Sequence, residues 1–390
     1  EVGSRGLGDV YKRQVQVRLK WKTSSRILLK MFLPILEYLA ESFGPLRIFN
    51  YFTFRAILAT LTSLVFILFF GKTFIRFIAK QKYGQIIRDE GPQSHLEKKG
   101  TPTMGGLLIL FSIVFSCLCW GDLSNKYLLV SMAVTFLFGV IGLIDDYLKL
   151  RYSNSKGLSG RSRLLWEILV ALSASSLIYY FASSAEETTL FLPFFKDFAL
   201  QLGIWFILFS ALVLVATANA VNLTDGLDGL AIMPSVMVAA GMGIIAYISG
   251  NAILSDYLNV PYLFYSTEIV IFCGALVGAG IGFLWFNTYP AQIFMGDVGS
   301  LSLGAALGII AVSIRQEFIL VLMGGVFVIE TLSVILQVAS FKLTGKRIFK
   351  MAPLHHHYEL SGLAEPKIIV RFWIVTLILV LFALATFRLR

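Results

Sequence analysis

Three aspartates in this sequence stand at the edges of long apolar runs, where a charge needs a reason. Asp297 lies between Gly296 and Gly299, just ahead of a run beginning at Leu301. A carboxylate there can be an oxygen ligand for Mg²⁺, which keeps several waters and bridges substrate phosphates. The first amides of the following helix would favour the same phosphates. The simpler reading is an N-cap, by Asp297 or by Ser300. Asp145 and Asp146 are neighbours, about 100° apart on a helix, so their spacing argues against joint chelation of one ion. One is expected to do chemistry while the other faces a base or a hydrogen-bond donor; the plain alternative is a pair of interface acids.

Asn219, Asn222, Asp225 and Asp228 recur every three residues and are expected near one helical face. Two amides and two carboxylates with almost no counter-cation suit hydroxyls, an imide edge or a hydrated cation; a solvated helix end would also account for them. Gly226 and Gly229 let a ligand approach the backbone. His355, His356 and His357 are consecutive. Their rings point in different directions, so hydrogen bonding to phosphate or sugar is expected rather than a zinc site. Glu330 stands inside an apolar run, which makes it a functional candidate by default; the bland reading is a bundle-facing acid near a kink at Gly324 and Gly325.

These residues must be positioned by helices in lipid. Of 390 residues, 57% are hydrophobic and 14% charged, with a mean hydropathy of +0.78, far from the roughly 25% charged of soluble domains. The apolar runs have the length that crosses a bilayer, and they are too long and unalternating for barrel strands. About ten spans are expected: 52–70, 104–120, 127–144, 164–181, 202–220, 230–248, 269–286, 301–314, 318–338 and 368–387. The fold class is therefore an all-α polytopic membrane protein. The first, third and ninth connections carry seven, five and five Lys and Arg, the even ones only Lys126, Lys196 and Arg315. Positive loops mark the cytoplasmic side. All the polar clusters fall on that side, so an active site at the cytoplasmic face is expected. A transporter would instead place charges near the midplane, within repeats.

Residues 1–30 carry eight bases and two acids and precede Met31. They are expected to be an extension outside a single membrane domain spanning 31–390, with a basic arm on the membrane surface as the alternative. The rest of the chain has no basic stripe with interleaved aromatics, so nucleic acid is not an expected partner. Cys117, Cys119 and Cys273 lie in apolar runs and read as fillers.

Taken in order, the strings Lys98-Lys99-Gly100-Thr101-Pro102-Thr103-Met104-Gly105-Gly106, Asp145-Asp146, Asn219–Gly229, Asn287–Ser300 and Met351–Leu360 resemble the polyprenyl-phosphate N-acetylhexosamine-1-phosphate transferase superfamily. Within it they are most similar to the phospho-N-acetylmuramoyl-pentapeptide-transferase branch of bacterial peptidoglycan synthesis. The resemblance covers residues 31–390; segment 1–30 departs from it. It implies a multi-pass enzyme of the bacterial inner membrane, usually a homodimer, with ten helices. The implied reaction moves phospho-MurNAc-pentapeptide from UDP-MurNAc-pentapeptide to undecaprenyl phosphate, giving lipid I and UMP, with Mg²⁺. Asp145, Asp146 and Asp297 match the three essential aspartates, Asp297 being the metal ligand. Lys98, Thr103, Asn222, Asp225, Gly226, Leu227, Asp228, Asn287 and Phe294 match nucleoside-side and sugar-side positions. Lys149 matches a base near the phosphates, and the histidine run separates this branch from its GlcNAc-1-phosphate relatives.

Overall fold

The computed structural model describes residues 43–80, 100–152, 157–192, 199–258 and 260–387; the 1–30 segment and Lys98 lie outside them. Lipid offers no partner for backbone N–H and C=O groups, so each span closes its own hydrogen bonds as a helix. In chain order these are α1 Phe52–Lys80, α2 Gly106–Trp120, α3 Lys126–Tyr152, α4 Gly160–Phe181, α5 Trp205–Thr224, α6 Ile232–Gly250, the short α7 Ala252–Leu258, α8 Ser266–Asn287, α9 Gly296–Ile314, α10 Glu317–Met323, α11 Gly325–Thr344, α12 Leu354–Glu359 and α13 Glu365–Phe387. Among the described residues nine helices are long and apolar enough to cross a membrane, and α2 is a shorter apolar one.

Three features differ from the sequence expectation. The span expected over 318–338 is broken at Gly324, which separates α10 from α11. Two adjacent glycines carry the largest backbone entropy and the weakest helix preference of any non-proline pair, so the break falls there. Thr189–Phe191 pairs antiparallel with Ala199–Gln201 as a small hairpin, which the apolar-run pattern does not show. The helix expected to carry Asn219 through Asp228 on one face stops at Thr224, with Asp225 as its C-cap.

At the centre stands α9, in which every residue from Val298 to Ile314 is buried. Its Gly and Ala residues let neighbouring backbones come close, the usual solution where lipid gives no hydrophobic pull between helices. A Cβ on Gly304 would lie 2.6 Å from the Cα of Ala218 on α5. The far end of the bundle is held by buried ion pairs. Arg55 donates to both oxygens of Glu268, at 3.2 and 2.6 Å, and to the Trp120 carbonyl at 3.0 Å. Arg315, buried at the end of α9, stacks its guanidinium 4.3 Å from the Phe206 ring centroid. The central helix is thus clamped at one end, and its other end carries Asp297.

Candidate active site

The polar residues collect where α3 ends and α9 begins. Two glycines allow this approach. A Cβ on Gly142 of α3 would run into the carbonyl of Asp297, and one on Gly106 of α2 would run into the backbone of Gly299. Gly296 takes a positive φ of 72°, and a Cβ there would meet Asp146 Oδ2 at 2.5 Å and Thr103 Oγ1 at 3.1 Å. The 102–106 segment is sewn to the start of α9 by backbone bonds: Phe294 N–H to Pro102 C=O, Gly105 N–H to Phe294 C=O and Gly106 N–H to Met295 C=O. Gly142→Ala is therefore expected to cost about 1–3 kcal/mol as overpacking against fixed backbone. The measurement is melting temperature alongside turnover, and unchanged values for both would show that α3 and α9 can separate freely.

Asp145, Asp146 and Asp297 bring carboxylate oxygens within 4.8 Å of one another. This corrects the expectation from adjacency alone: Asp145 and Asp146 do reach one spot, because α9 enters between their directions. Each is oriented by a backbone donor. Leu158 N–H gives to Asp145 Oδ1 at 2.7 Å, and Val298 N–H to Asp146 Oδ2 at 3.2 Å. Lys149 Nζ sits among all three, at 2.5 Å from Asp145 Oδ2, 2.7 Å from Asp297 Oδ2 and 3.9 Å from Asp146 Oδ1. Asn222 Nδ2 donates to Asp297 Oδ1 at 2.9 Å and to Ser300 Oγ at 2.8 Å. Arg163 Nη1 lies 3.5 Å from Asp297 Oδ2.

The remaining expected residues divide into those at the cluster and those that shape its walls. Asn219 turns away, donating to Glu167 and to the Val215 carbonyl. Sequence reasoning misses Arg163 and Glu167, the latter fully buried in α4; their signal is an i,i+4 charge pair that carries an acid into the membrane-spanning part of the helix. Asp225 is half-buried just past α5. Burial pushes its carboxyl up to about 8, and the negative Asp297, Asp146 and Asp228 add to the shift. The shift favours the protonated form, which can donate; a divalent cation nearby would oppose it. Asp228 Oδ2 accepts from Ala291 N–H at 2.9 Å, and its own N–H donates to Glu365 Oε1. Asn287 accepts from Gly229 N–H and donates to the Ile293 carbonyl. Both residues thus help to hold the 225–230 and 288–294 turns together. Leu227 packs with Leu230, Ile368 and Ile369. Phe294 is half-buried, anchored through its backbone, and Thr103 is buried beside Gly296.

Each histidine of the 355–357 run is held by Nδ1. His355 Nδ1 lies 3.2 Å from Glu330 Oε2, and its backbone N–H donates to Glu330 Oε1 at 3.1 Å. His356 Nδ1 is 2.8 Å from Glu359 Oε2. His357 Nδ1 accepts from Lys350 N–H at 3.2 Å. The first two rings therefore carry Nδ1–H when neutral and the third carries Nε2–H. His355 Nε2 is buried, has no hydrogen-bond partner among the described residues, and lies where a Cβ on Gly226 would be. This contact ties the histidine segment to the Asp225–Asp228 turn. Gln337 accepts from Ile348 and Phe349 N–H groups and so fixes the loop that leads there.

Two comparisons bear on this arrangement. Residues 128–315 match the family described as Glycosyl transferase family 4, a stretch that contains all three clustered aspartates, Lys149 and the 219–229 turn. Residues 98–110 match the signature described as Phospho-N-acetylmuramoyl-pentapeptide-transferase signature 1, which contains the 102–106 segment sewn to the start of α9. Both matches fall on the elements that build the aspartate cluster, and together they indicate the phospho-N-acetylmuramoyl-pentapeptide-transferase / polyprenyl-phosphate hexosamine-1-phosphate transferase family.

Proposed function

We propose that the chain transfers phospho-MurNAc-pentapeptide from UDP-MurNAc-pentapeptide to undecaprenyl phosphate, releasing UMP and forming lipid I. The observation that carries this reading is the gathering of three carboxylates around Lys149 at one end of a membrane bundle, beside the 98–110 signature. One substrate comes from the cytosol and the other lies in the inner leaflet, so the site belongs at the cytoplasmic face of the bacterial inner membrane, where the positive loops point. The enzyme is proposed to act as a homodimer.

Three carboxylates with oxygens this close form a hard-oxygen donor set that fits Mg²⁺. Asp297, with Asp145 and Asp146 as further oxygen donors, would hold it. A bound Mg²⁺ would neutralise charge on the diphosphate. The protein's own part is positioning and electrostatics, which dominate phosphoryl transfer. A lipid-phosphate oxygen forms a bond to the β-phosphorus of the nucleotide sugar, and the bond to the UMP oxygen breaks, with UMP keeping that oxygen. Lys149 and Arg163 face the charge that develops there. Asp145 orients the lipid phosphate or takes its residual proton; little is needed, because a phosphate monoester with a second pKa near 6 is mostly dianionic at pH 7. The turn at Asp225–Asp228, Phe294 and the histidines supply the nucleotide and sugar side.

The test is UMP release by the purified protein with undecaprenyl phosphate and either UDP-MurNAc-pentapeptide or UDP-GlcNAc. Release is expected from the first only, stopped by chelation and restored by Mg²⁺. Comparable release from both would move the assignment to the broader superfamily, and none from either would remove the transferase reading. The single-displacement route further predicts no UMP release, and no exchange of labelled UMP into the nucleotide sugar, when the lipid phosphate is left out.

A further inference from the structure

Between α3 and α4 runs an open cavity of about 440 Å³, which ends at Lys126 and Phe181, away from the aspartates. Small residues make its floor, Ala133, Ser173 and Ala174, and Leu129, Trp166 and Phe181 stand among its walls. Ser173 Oγ donates to the Leu169 carbonyl at 2.8 Å, so it offers the cavity no free hydroxyl proton. The one charge is Lys126 at the end. Its ammonium lies 4.6 Å from the centroid of the Phe181 ring, and among the described residues it makes no ion pair.

We propose that this slot binds one acyl chain of an anionic bilayer phospholipid, with the headgroup phosphate beside Lys126. The charge at one end selects the occupant. The slot runs from Lys126 to Leu137 along α3 and from Phe181 to Trp166 along α4, about 16 and 22 Å of helix, an elongated apolar shape that suits an extended hydrocarbon chain. In lipid there is no hydrophobic pull into a groove; the gain is the dispersion energy that walls facing a void forgo. A chain already present in the bilayer fills the void and restores that energy. The cation at the slot's outer end then favours a negative headgroup, and its stem reaches the interface as lysine stems do. This lipid is not a reacting one. Lys126 and Asp145 are separated by about 28 Å of helix, a full hydrocarbon thickness, so a phosphate at Lys126 belongs to the opposite leaflet. The inference stands apart from the proposed reaction.

Native mass spectrometry of the detergent-solubilised protein, incubated with phosphatidylglycerol or phosphatidylcholine of identical chains, tests it. The wild-type chain is expected to retain phosphatidylglycerol about fivefold better, the preference one lysine gives beside an anionic headgroup. Lys126→Gln, a change at an exposed position, should make the two lipids equal. Ala133→Leu, which fills the slot from an exposed position, should lower retention of both by fivefold or more at unchanged melting temperature. Equal retention of both lipids by the wild-type chain would overturn the proposal, as would retention that neither substitution changes. A loss of dimer on Ala133→Leu with lipid retention unaltered would show the slot to be a protein interface, and would overturn it too.

Discussion

Asp297→Asn yields a folded, membrane-inserted protein whose UMP release falls by about 10³-fold or more, ~4 kcal/mol of transition-state stabilisation. Each oxygen of Asp297 has its own partners. Oδ1 accepts from Asn222 and Oδ2 receives both Lys149 and Arg163. An asparagine can keep the first contact through its own oxygen, but its amide then sets a donor against the Lys149 ammonium and removes the charge that two cations face. The backbone of the α9 start is held by other means, through the bonds from residues 102–106 and the Gly142 and Gly106 contacts, so the fold has little reason to fail. The measurement is turnover together with a Mg²⁺ titration, at equal expression. Turnover near the unsubstituted rate with the same Mg²⁺ midpoint would take Asp297 out of the proposed metal site.

What is legible in the sequence and what is hidden there divide along a physical line. The spans are legible because lipid imposes length and hydrophobicity together, and the sharing of one end by the polar clusters follows from counting charges on alternate connections. Which side chain meets which is not legible. Asn219 and Asn222 stand three residues apart on α5, yet one serves Glu167 and the other Asp297, because the rotation of α5 is set by its packing on α9 and α4 and not by its own pattern. Adjacency makes Asp145 and Asp146 look divergent; only the close approach at Gly142 brings a second helix, α9, up to both of them. The break at Gly324 reads in the sequence as a kink at most, since a glycine pair shows weakness without showing whether tertiary packing will use it. Glu330 stands there as an unexplained intramembrane acid, because its partner lies 25 residues on, beyond any helical spacing.

That partner gives the second large effect. Glu330 and His355 are 0% and 1% exposed, and the carboxylate takes both the backbone N–H and Nδ1 of the histidine. A carboxylate accepts only, so the Nδ1 proton is fixed toward it and Nε2 is left as an acceptor at Gly226. Glu330→Gln keeps the volume and can still accept from the His355 N–H. Its amide, however, donates to Nδ1, which forces the imidazole proton to Nε2 and inverts what the ring offers at the Asp225–Asp228 turn. The expected result is a fall of about 10²-fold in kcat/KM for the nucleotide sugar, in the range of a positioned acid–base or hydrogen-bonding group, with KM for the polyprenyl phosphate unchanged. Glu330→Ala removes an acceptor from a buried pair and should also lower the melting temperature, since an unpartnered buried group is costly. The discriminating measurement is a double-mutant cycle with His355→Asn. If Glu330 acts through His355, the double variant loses no more than His355→Asn alone. Losses that multiply would mean that Glu330 and His355 act separately, and the 3.2 Å contact between them would then be packing without consequence for turnover.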